Sequence, residues 1–330
     1  MIKAGILGLG WWGQNLVRSV NNTDASITFV AGSVRRPERV TQFSNDFGLK
    51  LFENYDEMLK EENLQAIVLA TPHTLHSEQI GKAVRANKHI FCEKPFTMNK
   101  SECEIAISEI TEAGLQVGVG YNRRFHPSMK KMRKLIKCGK LGTPLHVEAM
   151  AAIPATNWMS EDDWRFSELE WPAGGITPMG VHQIDHMVEL FGEISTVFCQ
   201  SVRQVVDQEI DDTTVVTITF KNGMTGFLST LLSAPPDNRF AVYGTAGTSE
   251  IQTRSYNKFQ FRPIKGDNED IDFGDYDMDV ETLREELEAF SRSILGQEPF
   301  PISHDQIMHV VSVTDAIIES SRTGKLINVS

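Results

Sequence analysis

Several features that mark secreted, membrane-bound or metal-binding proteins are scarce in this sequence. It has four cysteines in 330 residues, and none of them forms a C-x-x-C pair or a zinc-binding spacing. Unpaired cysteines are typical of a reducing compartment, so a cytoplasmic protein is expected. No apolar stretch approaches the roughly 20 residues of a membrane helix. The glycine-rich turn that starts at Gly8 leaves no room before it for a signal peptide, and we expect none.

An excess of positive charge is also missing. The sequence has 32 Lys and Arg residues against 44 Asp and Glu residues, which gives a formal net charge of −12. This balance argues against a nucleic-acid partner, because such proteins carry basic patches that contact phosphates. A local basic cluster does occur between Arg123 and Arg133. Its helical spacing among apolar residues predicts a solvated helix face.

The first 120 residues alternate short apolar runs with helical patterns. The runs are rich in Ile, Val and Leu and show little alternation, which is typical of parallel strands covered on both faces by helices. The predicted strands are Lys3–Leu7, Ile27–Ala31, Ala66–Ala70, His89–Cys92 and Gln116–Gly120. The predicted helices are Gly13–Asn22, Pro37–Phe47, His76–Ala86 and Lys100–Ala113.

After about residue 121 the pattern changes to longer, alternating strands, including Thr213–Phe220 on one side of a Lys221-Asn222-Gly223 hairpin signal. The prediction is an α/β Rossmann domain over residues 1–121, followed over residues 122–330 by an α+β domain with an open, mostly antiparallel sheet. The alternating strands from Thr213 to Ser233 indicate a sheet face that the chain's own helices leave uncovered. Such a face predicts a homodimer or homotetramer. The acidic stretch from Asp267 to Glu281 lacks the calcium-loop pattern and is interpreted as a solvated loop that leads into a helix.

Residues Gly8-Leu9-Gly10-Trp11-Trp12-Gly13 match the pattern G-x-G-x-x-G. The motif follows a predicted strand and opens a predicted helix, which is the context that a dinucleotide-binding turn requires. In such a turn the first glycine allows the tight bend, and the second lets the backbone approach the pyrophosphate. The third lets helix and strand pack closely. We therefore predict that residues 8–13, including both tryptophans, bind a dinucleotide.

The second predicted strand ends at Ala31-Gly32-Ser33-Val34-Arg35-Arg36 without the acidic residue that holds the ribose 2′-hydroxyl of NAD. Ser33 can bond a 2′-phosphate, and Arg35 or Arg36 can pair with it. NADP is favoured over NAD on this ground. The alternative is that both arginines are surface residues at a helix start.

Three further motifs follow strand ends, where ligands bind in open α/β sheets. They are Thr71-Pro72-His73-Thr74-Leu75-His76, Glu93-Lys94-Pro95 and Tyr121-Asn122-Arg123-Arg124-Phe125. Together with Gly174-Gly175 and Gly180-Val181-His182-Gln183-Ile184-Asp185, they resemble the Gfo/Idh/MocA family of glucose–fructose oxidoreductases, inositol dehydrogenases and rhizopine-catabolism proteins. The order and spacing match over nearly the whole chain.

The resemblance implies roles for individual residues. Lys94 would lie beside the nicotinamide, His182 close to the substrate, and Asp185 in contact with it, while Trp164 and Arg165 would line the pocket. The dinucleotide and substrate sites would also include Thr71, His73, His76, Glu93, Tyr121 and Arg123. The resemblance further implies a hydroxyl-rich substrate such as a sugar, an inositol or a derivative, and an antiparallel sheet used for oligomer contacts.

Two departures from the family pattern matter. The aspartate of the dehydrogenase pattern D-x-x-x-H is Pro178 here, and the usual T-P-N reads Thr71-Pro72-His73. Thr177 and Pro178 are suitable as the N-cap and first residue of a helix. On that helix Asp185 would lie on the face of His182 and could orient it. A metal shared by His182 and the histidine four residues later is the less favoured alternative, and no metal is predicted.

For the chemistry, Lys94 is the predicted proton-transfer residue and His182 shares or orients that hydrogen bond. A buried lysine beside a positive nicotinamide has a lowered pKa, which suits a general base. The alternative to this catalytic role is that Lys94 only forms a salt bridge with Glu93. Two other functions stay open: an NAD-dependent lyase or glycosidase that oxidises its substrate transiently, and a non-enzymatic dinucleotide-binding regulator.

Overall fold

The computed structural model describes residues 1–160 and 163–330. Its chain forms two compact units. Unit 1 contains residues 1–122 and 279–307, and unit 2 contains residues 123–278 and 308–330. The return of residues 279–307 to unit 1 differs from the single second domain that the sequence predicts for residues 122–330.

Unit 1 is built on a six-stranded sheet in which all strand pairs are parallel. Its elements up to residue 122 are β1 (Ile2–Leu7), α1 (Trp11–Val20), β2 (Ile27–Ser33), α2 (Thr41–Phe47), β3 (Lys50–Phe52), α3 (Tyr55–Leu59), β4 (Ala66–Leu69), α4 (His76–Arg85), β5 (His89–Cys92), α5 (Lys100–Glu112) and β6 (Val117–Val119). The strand order is β3-β2-β1-β4-β5-β6, so the order reverses between β1 and β4. Every residue of β4 is buried, as expected for a strand covered on both faces.

The parallel α/β architecture predicted for this half is confirmed. The five predicted strands are present with ends that differ by at most two residues. The short elements β3 and α3 were not predicted, and the helix expected over Pro37–Phe47 is a 3-10 turn at Pro37–Arg39 followed by α2. Helix α1 begins at Trp11, two residues before the predicted start, because the turn closes into the helix directly after Gly10.

The rest of the chain is richer in strands. Its elements are α6 (Pro127–Lys137), β7 (Pro144–Pro154), α7 (Ala155–Trp158), α8 (Gly180–Phe191), β8 (Ile194–Val202), β9 (Thr213–Phe220), β10 (Thr225–Leu231), β11 (Ser233–Gly244), β12 (Gly247–Gln252), β13 (Lys258–Pro263), β14 (Glu269–Asp272), α9 (Met278–Ile294), α10 (His304–Thr323) and β15 (Ile327–Asn328). The nine strands pair in the order β14-β13-β12-β11-β7-β10-β9-β8-β15. Only the β7–β10 pair among them is parallel, so the mostly antiparallel sheet is confirmed.

One face of this sheet is buried and the other is open. Along β9 the buried Val216, Ile218 and Phe220 alternate with Thr217 and Thr219, which are exposed. This period of two is the pattern of a strand with a single covered face. The alternation in the sequence therefore reflects a sheet with one buried face and one exposed face.

Some predicted boundaries are wrong. The alternation over Thr196–Val206 predicts a strand there, but strand β8 ends at Val202. The acidic stretch Asp267–Glu281 does lead into helix α9, but it also contains strand β14, which the predicted loop does not include. Residues 225–244 form β10 and the long β11, whose pairing with β7 shifts register between Ser233 and Asp237. The two prolines in that interval lack the N–H that a regular ladder needs, which accounts for the irregularity.

Helix α9 belongs with the parallel sheet of unit 1. The Phe290 ring lies 5.6 Å from the ring of Phe91 on β5. Ser291 Oγ donates a hydrogen bond to the Ser26 carbonyl oxygen at 3.1 Å. Residues separated by about two hundred positions thus share one core, which no local sequence pattern indicates.

None of the described helices is both long enough and apolar enough to cross a membrane.

Candidate active site

The glycine turn between β1 and α1 has the geometry of an anion-binding site. Gly8 has a φ of 95°, and a Cβ there would collide with the Ala70 carbonyl oxygen. A Cβ on Gly13 would collide with the Gly8 carbonyl oxygen, whereas one on Gly10 would meet no atom within 4 Å. Gly10 is the N-cap of α1 and has no side chain to cap it. The first N–H groups of the helix therefore face an open approach, which fits a dinucleotide pyrophosphate.

The two tryptophans of the turn have different surroundings. The Trp11 side chain is 62% exposed, and its ring lies 5.5 Å from that of Trp12. The Trp12 indole nitrogen is buried. A side-chain hydrogen bond from Trp12 lowers the pKa of the Glu93 carboxyl. The second tryptophan thus connects the glycine turn to the segment after β5.

The end of β2 lies beside this turn. The Ser33 carbonyl oxygen accepts a hydrogen bond from the Gly8 backbone N–H at 3.0 Å. Ser33 itself is 2% exposed, while Arg35 and Arg36 are exposed. The predicted 2′-phosphate ligands therefore lie at the end of β2 and just after it, where the ribose of the adenosine half binds in this fold.

After β4, the predicted site residues Thr71, His73 and His76 form a hydrogen-bonded segment. Thr71 Oγ1 donates to Gln79 Oε1 at 2.6 Å. His76 is fully buried, with Nδ1 2.8 Å from the Pro95 carbonyl oxygen and Nε2 3.2 Å from that of Thr71. Burial lowers the pKa of His76, so the ring is neutral at pH 7. His76 thus links the segment after β4 to the segment after β5, and its predicted contact with a dinucleotide stays a prediction.

Glu93 and Lys94 follow β5 directly. The Glu93 side chain is buried, and its Oε2 accepts a hydrogen bond from the Lys94 backbone N–H at 3.3 Å. Burial raises the pKa of the Glu93 carboxyl to about 7, although Trp12 and Lys94 act in the opposite direction. Lys94 is half-buried and precedes Pro95 through a cis peptide bond. The lysine thus lies at the carboxyl end of a strand, two strands along the sheet from the glycine turn.

In unit 2, helix α8 carries the predicted His182 and Asp185. The helix begins at Gly180 with Met179 as its N-cap, so the predicted start at Thr177 and Pro178 is wrong. The Thr177 hydroxyl instead donates to the Pro172 carbonyl oxygen at 3.4 Å. His182 is 4% exposed and lies in the first turn of α8.

The Asp185 carboxylate is paired with Arg124. Arg124 Nε donates to Asp185 Oδ2 at 2.7 Å, and Nη2 donates to Oδ1 at 2.6 Å. The two side chains are 3% and 0% exposed. Burial raises the pKa of Asp185 to about 6, and Arg124 opposes that rise. This pairing favours an indirect role for Asp185, in holding α8, over the predicted contact with substrate.

The basic cluster that contains Arg124 is not a solvated helix face. Arg133 Nη2 lies 2.6 Å from Glu189 Oε1, and Arg123 donates to Asn238 at 3.2 Å and to Tyr256 at 3.3 Å. Only part of the cluster, including Lys130, is exposed. The acidic partners Asp185 and Glu189 lie four residues apart on α8, and that spacing was the one available signal for this network.

The remaining predicted substrate residues belong to both units. Tyr121 follows β6 in unit 1 and is buried. In unit 2, the Arg165 guanidinium carbon lies 4.4 Å from the centre of the Trp164 ring, and Nη1 lies 3.0 Å from Asp163 Oδ1. Among residues 1–160 and 163–330, no group of three or more His, Cys, Asp and Glu side chains is placed to hold a metal ion.

Family models match both halves of the chain. Residues 2–121 match the oxidoreductase family with an NAD-binding Rossmann fold, and residues 129–250 match the GFO/IDH/MocA C-terminal domain. The chain belongs to the GFO/IDH/MocA family of oxidoreductases. The resemblance drawn from the motifs is therefore confirmed, as is the expectation of an enzyme.

Curated relatives of the chain are distant. The myo-inositol 2-dehydrogenase of Thermotoga maritima is 28% identical over 256 residues, which are 74% of this chain and 74% of that protein. The scyllo-inositol 2-dehydrogenase (NAD(+)) of Bacillus subtilis is 28% identical over 287 residues, 82% of this chain and 79% of that protein.

Solved structures share the whole fold. A levoglucosan dehydrogenase in complex with NADH and L-sorbose has a TM-score of 0.90 at 21% identity, over 100% of this chain and 99% of that one. A dehydrogenase from Bordetella pertussis in complex with NADH and UDP-GlcNAcA has a TM-score of 0.88 at 20% identity, over 100% of this chain and 98% of that one. At these identities the likeness shows a common fold.

Proposed function

We propose that this oxidoreductase transfers a hydride between a nicotinamide dinucleotide and the carbinol carbon of a hydroxyl-rich small molecule such as a sugar, an inositol or a derivative. The relatives named as inositol dehydrogenases support this class of substrate.

One observation in unit 1 carries the proposal. The carboxyl ends of β1, β4, β5 and β6 share one edge of the parallel sheet, and they are followed by the glycine turn, Thr71, Glu93-Lys94 and Tyr121. Dinucleotides bind at this edge, across the point where the strand order reverses. The adenosine half lies toward β2, so the nicotinamide half lies toward β4, β5 and β6, where Lys94 stands.

Side chains of the protein transfer the hydroxyl proton of the substrate. A bound nicotinamide supplies the hydride acceptor or donor, and the protein positions the carbinol and moves the hydroxyl proton. Lys94 Nζ is the proposed acceptor of that proton in oxidation and its donor in reduction. His182, buried in the first turn of α8, is the proposed group that shares or orients this hydrogen bond. Arg124 and Asp185 hold the helix that carries His182.

The test is a panel of polyols and ketoses assayed by the absorbance of the reduced nicotinamide, with NAD(H) and NADP(H) in parallel. The proposal requires stoichiometric reduction or oxidation of the dinucleotide with at least one member of the panel. Binding of dinucleotide without turnover of any polyol or ketose would count against it.

A second candidate is a reaction with no net change in the dinucleotide. A relative from Escherichia coli named 2,7-anhydro-N-acetylneuraminate hydratase is 28% identical over 59% of this chain and 50% of that protein. Product analysis separates the two candidates, because a transiently oxidising enzyme converts substrate while the absorbance of the reduced nicotinamide stays constant.

A further inference from the structure

Unit 2 has nine arginines, and most of them are neutralised by acidic side chains. Ion pairs with carboxylates are formed by Arg124, Arg133, Arg165, Arg239, Arg262 and Arg322. Within the described part of unit 2, the other three form none: Arg203 and Arg254, which are exposed, and Arg123, which is half-buried. A half-buried guanidinium is only partly solvated, so an anionic partner would stabilise it.

Neutral groups hold the Arg123 side chain in place. Its Nη1 donates to Asn238 Oδ1 at 3.2 Å and to the Tyr256 hydroxyl oxygen at 3.3 Å. The guanidinium carbon lies 5.2 Å from the centre of the Tyr256 ring. Asn238 is fixed in turn, because its Nδ2 donates to the Arg254 carbonyl oxygen at 2.8 Å. These contacts orient the guanidinium without neutralising its charge.

Tyr256 is a rigid support for this arginine. It is 1% exposed and has a φ of 59°, in the left-handed region that residues other than glycine rarely adopt. Such a conformation persists where the surrounding structure enforces it, and it is frequent at ligand sites. The Tyr256 hydroxyl also accepts a hydrogen bond from Gln183 Nε2 at 2.7 Å. Because Gln183 follows His182 in the first turn of α8, one hydroxyl connects Arg123 to the residue beside that histidine.

The other edge of the Arg123 guanidinium has two further donor atoms. Its Nε and Nη2 make no hydrogen bond with residues 1–160 or 163–330. The next residue, Arg124, uses the same two atoms to bind both carboxylate oxygens of Asp185. The two N–H groups on this edge match the spacing of two oxygens in a carboxylate or a phosphate.

Titratable groups near Arg123 do not supply the missing negative charge. Asp237 is exposed, and its Oδ1 accepts a hydrogen bond from the Asn238 backbone N–H at 2.9 Å. Burial lowers the pKa of His186 far below its usual value, and the charges of Arg123 and Arg124 lower it further, so this imidazole is neutral. The positive charge of Arg123 is therefore not balanced by the described residues around it.

We propose that the substrate carries an anionic oxygen group, a carboxylate or a phosphate, and that Arg123 binds this group through Nε and Nη2. The substrate is then an acidic derivative of a sugar or an inositol rather than a neutral polyol. The ion pair holds one end of the substrate, while His182 orients the hydroxyl that reacts. The inference rests on the proposed function, since it names the substrate class of that reaction.

Matched substrates separate the effect of charge from that of the hydroxyl pattern. The panel contains a hexose, the hexuronate and the hexose 6-phosphate of the same ring configuration, and an inositol with its monophosphate. The absorbance of the reduced nicotinamide gives kcat/KM for each compound, with NAD(H) and NADP(H) in parallel. We expect at least one anionic compound to exceed its neutral counterpart by about tenfold or more, the usual gain from hydrogen bonds to a charged group. The preferred anion then identifies the group as a carboxylate or a phosphate.

Variants of Arg123 test whether this residue causes the preference. Arg123→Met should lower kcat/KM for the anionic compound by about tenfold or more, chiefly through a higher KM, so that the preference over the neutral counterpart shrinks toward one. The matched control is Arg262→Met, since Arg262 is also half-buried in unit 2 but pairs with Asp270 at 2.6 Å. That variant should keep the wild-type preference. Arg123→Gln retains a donor for Asn238 or Tyr256, and it takes the place of Arg123→Met if the latter does not fold.

Each result supports or overturns the inference. A wild-type protein that uses the neutral compounds at least as well as the anionic ones would refute it and leave the proposed function intact. An anion preference that stays unchanged in folded Arg123→Met or Arg123→Gln would assign the binding to another group and overturn it as well. No turnover of any compound with either dinucleotide would refute it together with the proposed function.

Discussion

Arg124 and Asp185 form a bidentate ion pair in the interior of unit 2, with donor–acceptor distances of 2.7 and 2.6 Å. The pair joins the segment before α6 to the middle of α8, 61 residues along the chain. Its carboxylate is one turn of helix from His182. The orientation of α8, and with it the placement of His182, therefore depends on a contact that is wholly buried.

Removing one partner of this ion pair should destabilise the protein. Asp185→Leu leaves a buried guanidinium without its partner, and we expect a loss of about 3–5 kcal/mol in the free energy of unfolding. The double variant Arg124→Met/Asp185→Leu should recover much of that loss, because neither charge is then left unpaired. Urea unfolding of the two single variants and the double variant measures the coupling. Lys131→Met, which breaks the partly exposed pair with Glu269, is the matched control and should cost less than about 1 kcal/mol.

The sequence and the structure agree best where the determinants are local. The turn from Gly8 to Gly13 could be predicted because backbone atoms leave no room for a Cβ there. A Cβ on Gly13 would collide with the Gly8 carbonyl oxygen, and a Cβ on Gly8 with the Ala70 carbonyl oxygen after β4. Lys94 could be placed because it directly follows a strongly apolar strand. The pairing of Arg124 with Asp185 could not be predicted, because a charged residue considered alone is expected at the surface. The packing of Phe290 on Phe91 could not be predicted either, because the two residues are far apart in the sequence.

The glycine turn offers two alanine variants with opposite effects. In Gly10→Ala the new Cβ meets no protein atom within 4 Å, so stability should change little, while dinucleotide affinity should fall because the pyrophosphate needs that space. In Gly13→Ala the new Cβ collides with the Gly8 carbonyl oxygen, so the protein itself should be destabilised. Thermal unfolding with and without dinucleotide separates the two effects. A Gly10→Ala protein that binds dinucleotide as tightly as the wild type would place the pyrophosphate elsewhere.

The 2′-phosphate should determine which dinucleotide binds more tightly. Ser33 ends β2, and Arg35 and Arg36 follow it where an acidic residue is absent; both arginines are exposed. We predict that NADP(H) binds more tightly than NAD(H), and that Arg35→Ala/Arg36→Ala removes the difference by weakening NADP(H) alone. Calorimetric titration of both dinucleotides is the measurement. Equal affinities in the wild type, or tighter binding of NAD(H), would show that the arginines are ordinary surface residues.

The open face of the antiparallel sheet should be an interface between copies of the chain. Thr217 and Thr219 are exposed on this face, and the side chain of Phe227 is only half-buried. We predict a homodimer or a homotetramer through this face, since an uncovered sheet with apolar side chains is stabilised by pairing. Light scattering at micromolar concentration measures the mass, and Phe227→Glu should lower it while Lys3→Glu, an exposed residue of unit 1, should not. A monomeric wild type would refute the prediction.

The most direct prediction for catalysis concerns Lys94. It follows β5 at the sheet edge that also carries the glycine turn, and Pro95 restrains the backbone behind it. If its ammonium group transfers the hydroxyl proton, Lys94→Ala should lower kcat by about a hundred- to ten-thousand-fold, the usual contribution of a general acid or base. The dissociation constant of the dinucleotide should stay nearly unchanged, because the glycine turn and α1 are the proposed phosphate-binding elements. His182→Ala should cost less, since His182 is proposed to orient the proton rather than to transfer it.

Three outcomes of that comparison have different meanings. Near-normal turnover of Lys94→Ala on the true substrate would remove the lysine from the mechanism. A folded Lys94→Ala protein that no longer binds dinucleotide would assign the lysine to binding. A larger loss in His182→Ala than in Lys94→Ala would exchange their roles and make the histidine the proton-transfer group. The exposed Lys60→Ala, in which only a surface pair with Glu57 is lost, is the control for the removal of a lysine charge. Because the proposed mechanism requires both a large effect on kcat and an intact dinucleotide affinity, the two measurements must be made on the same variant.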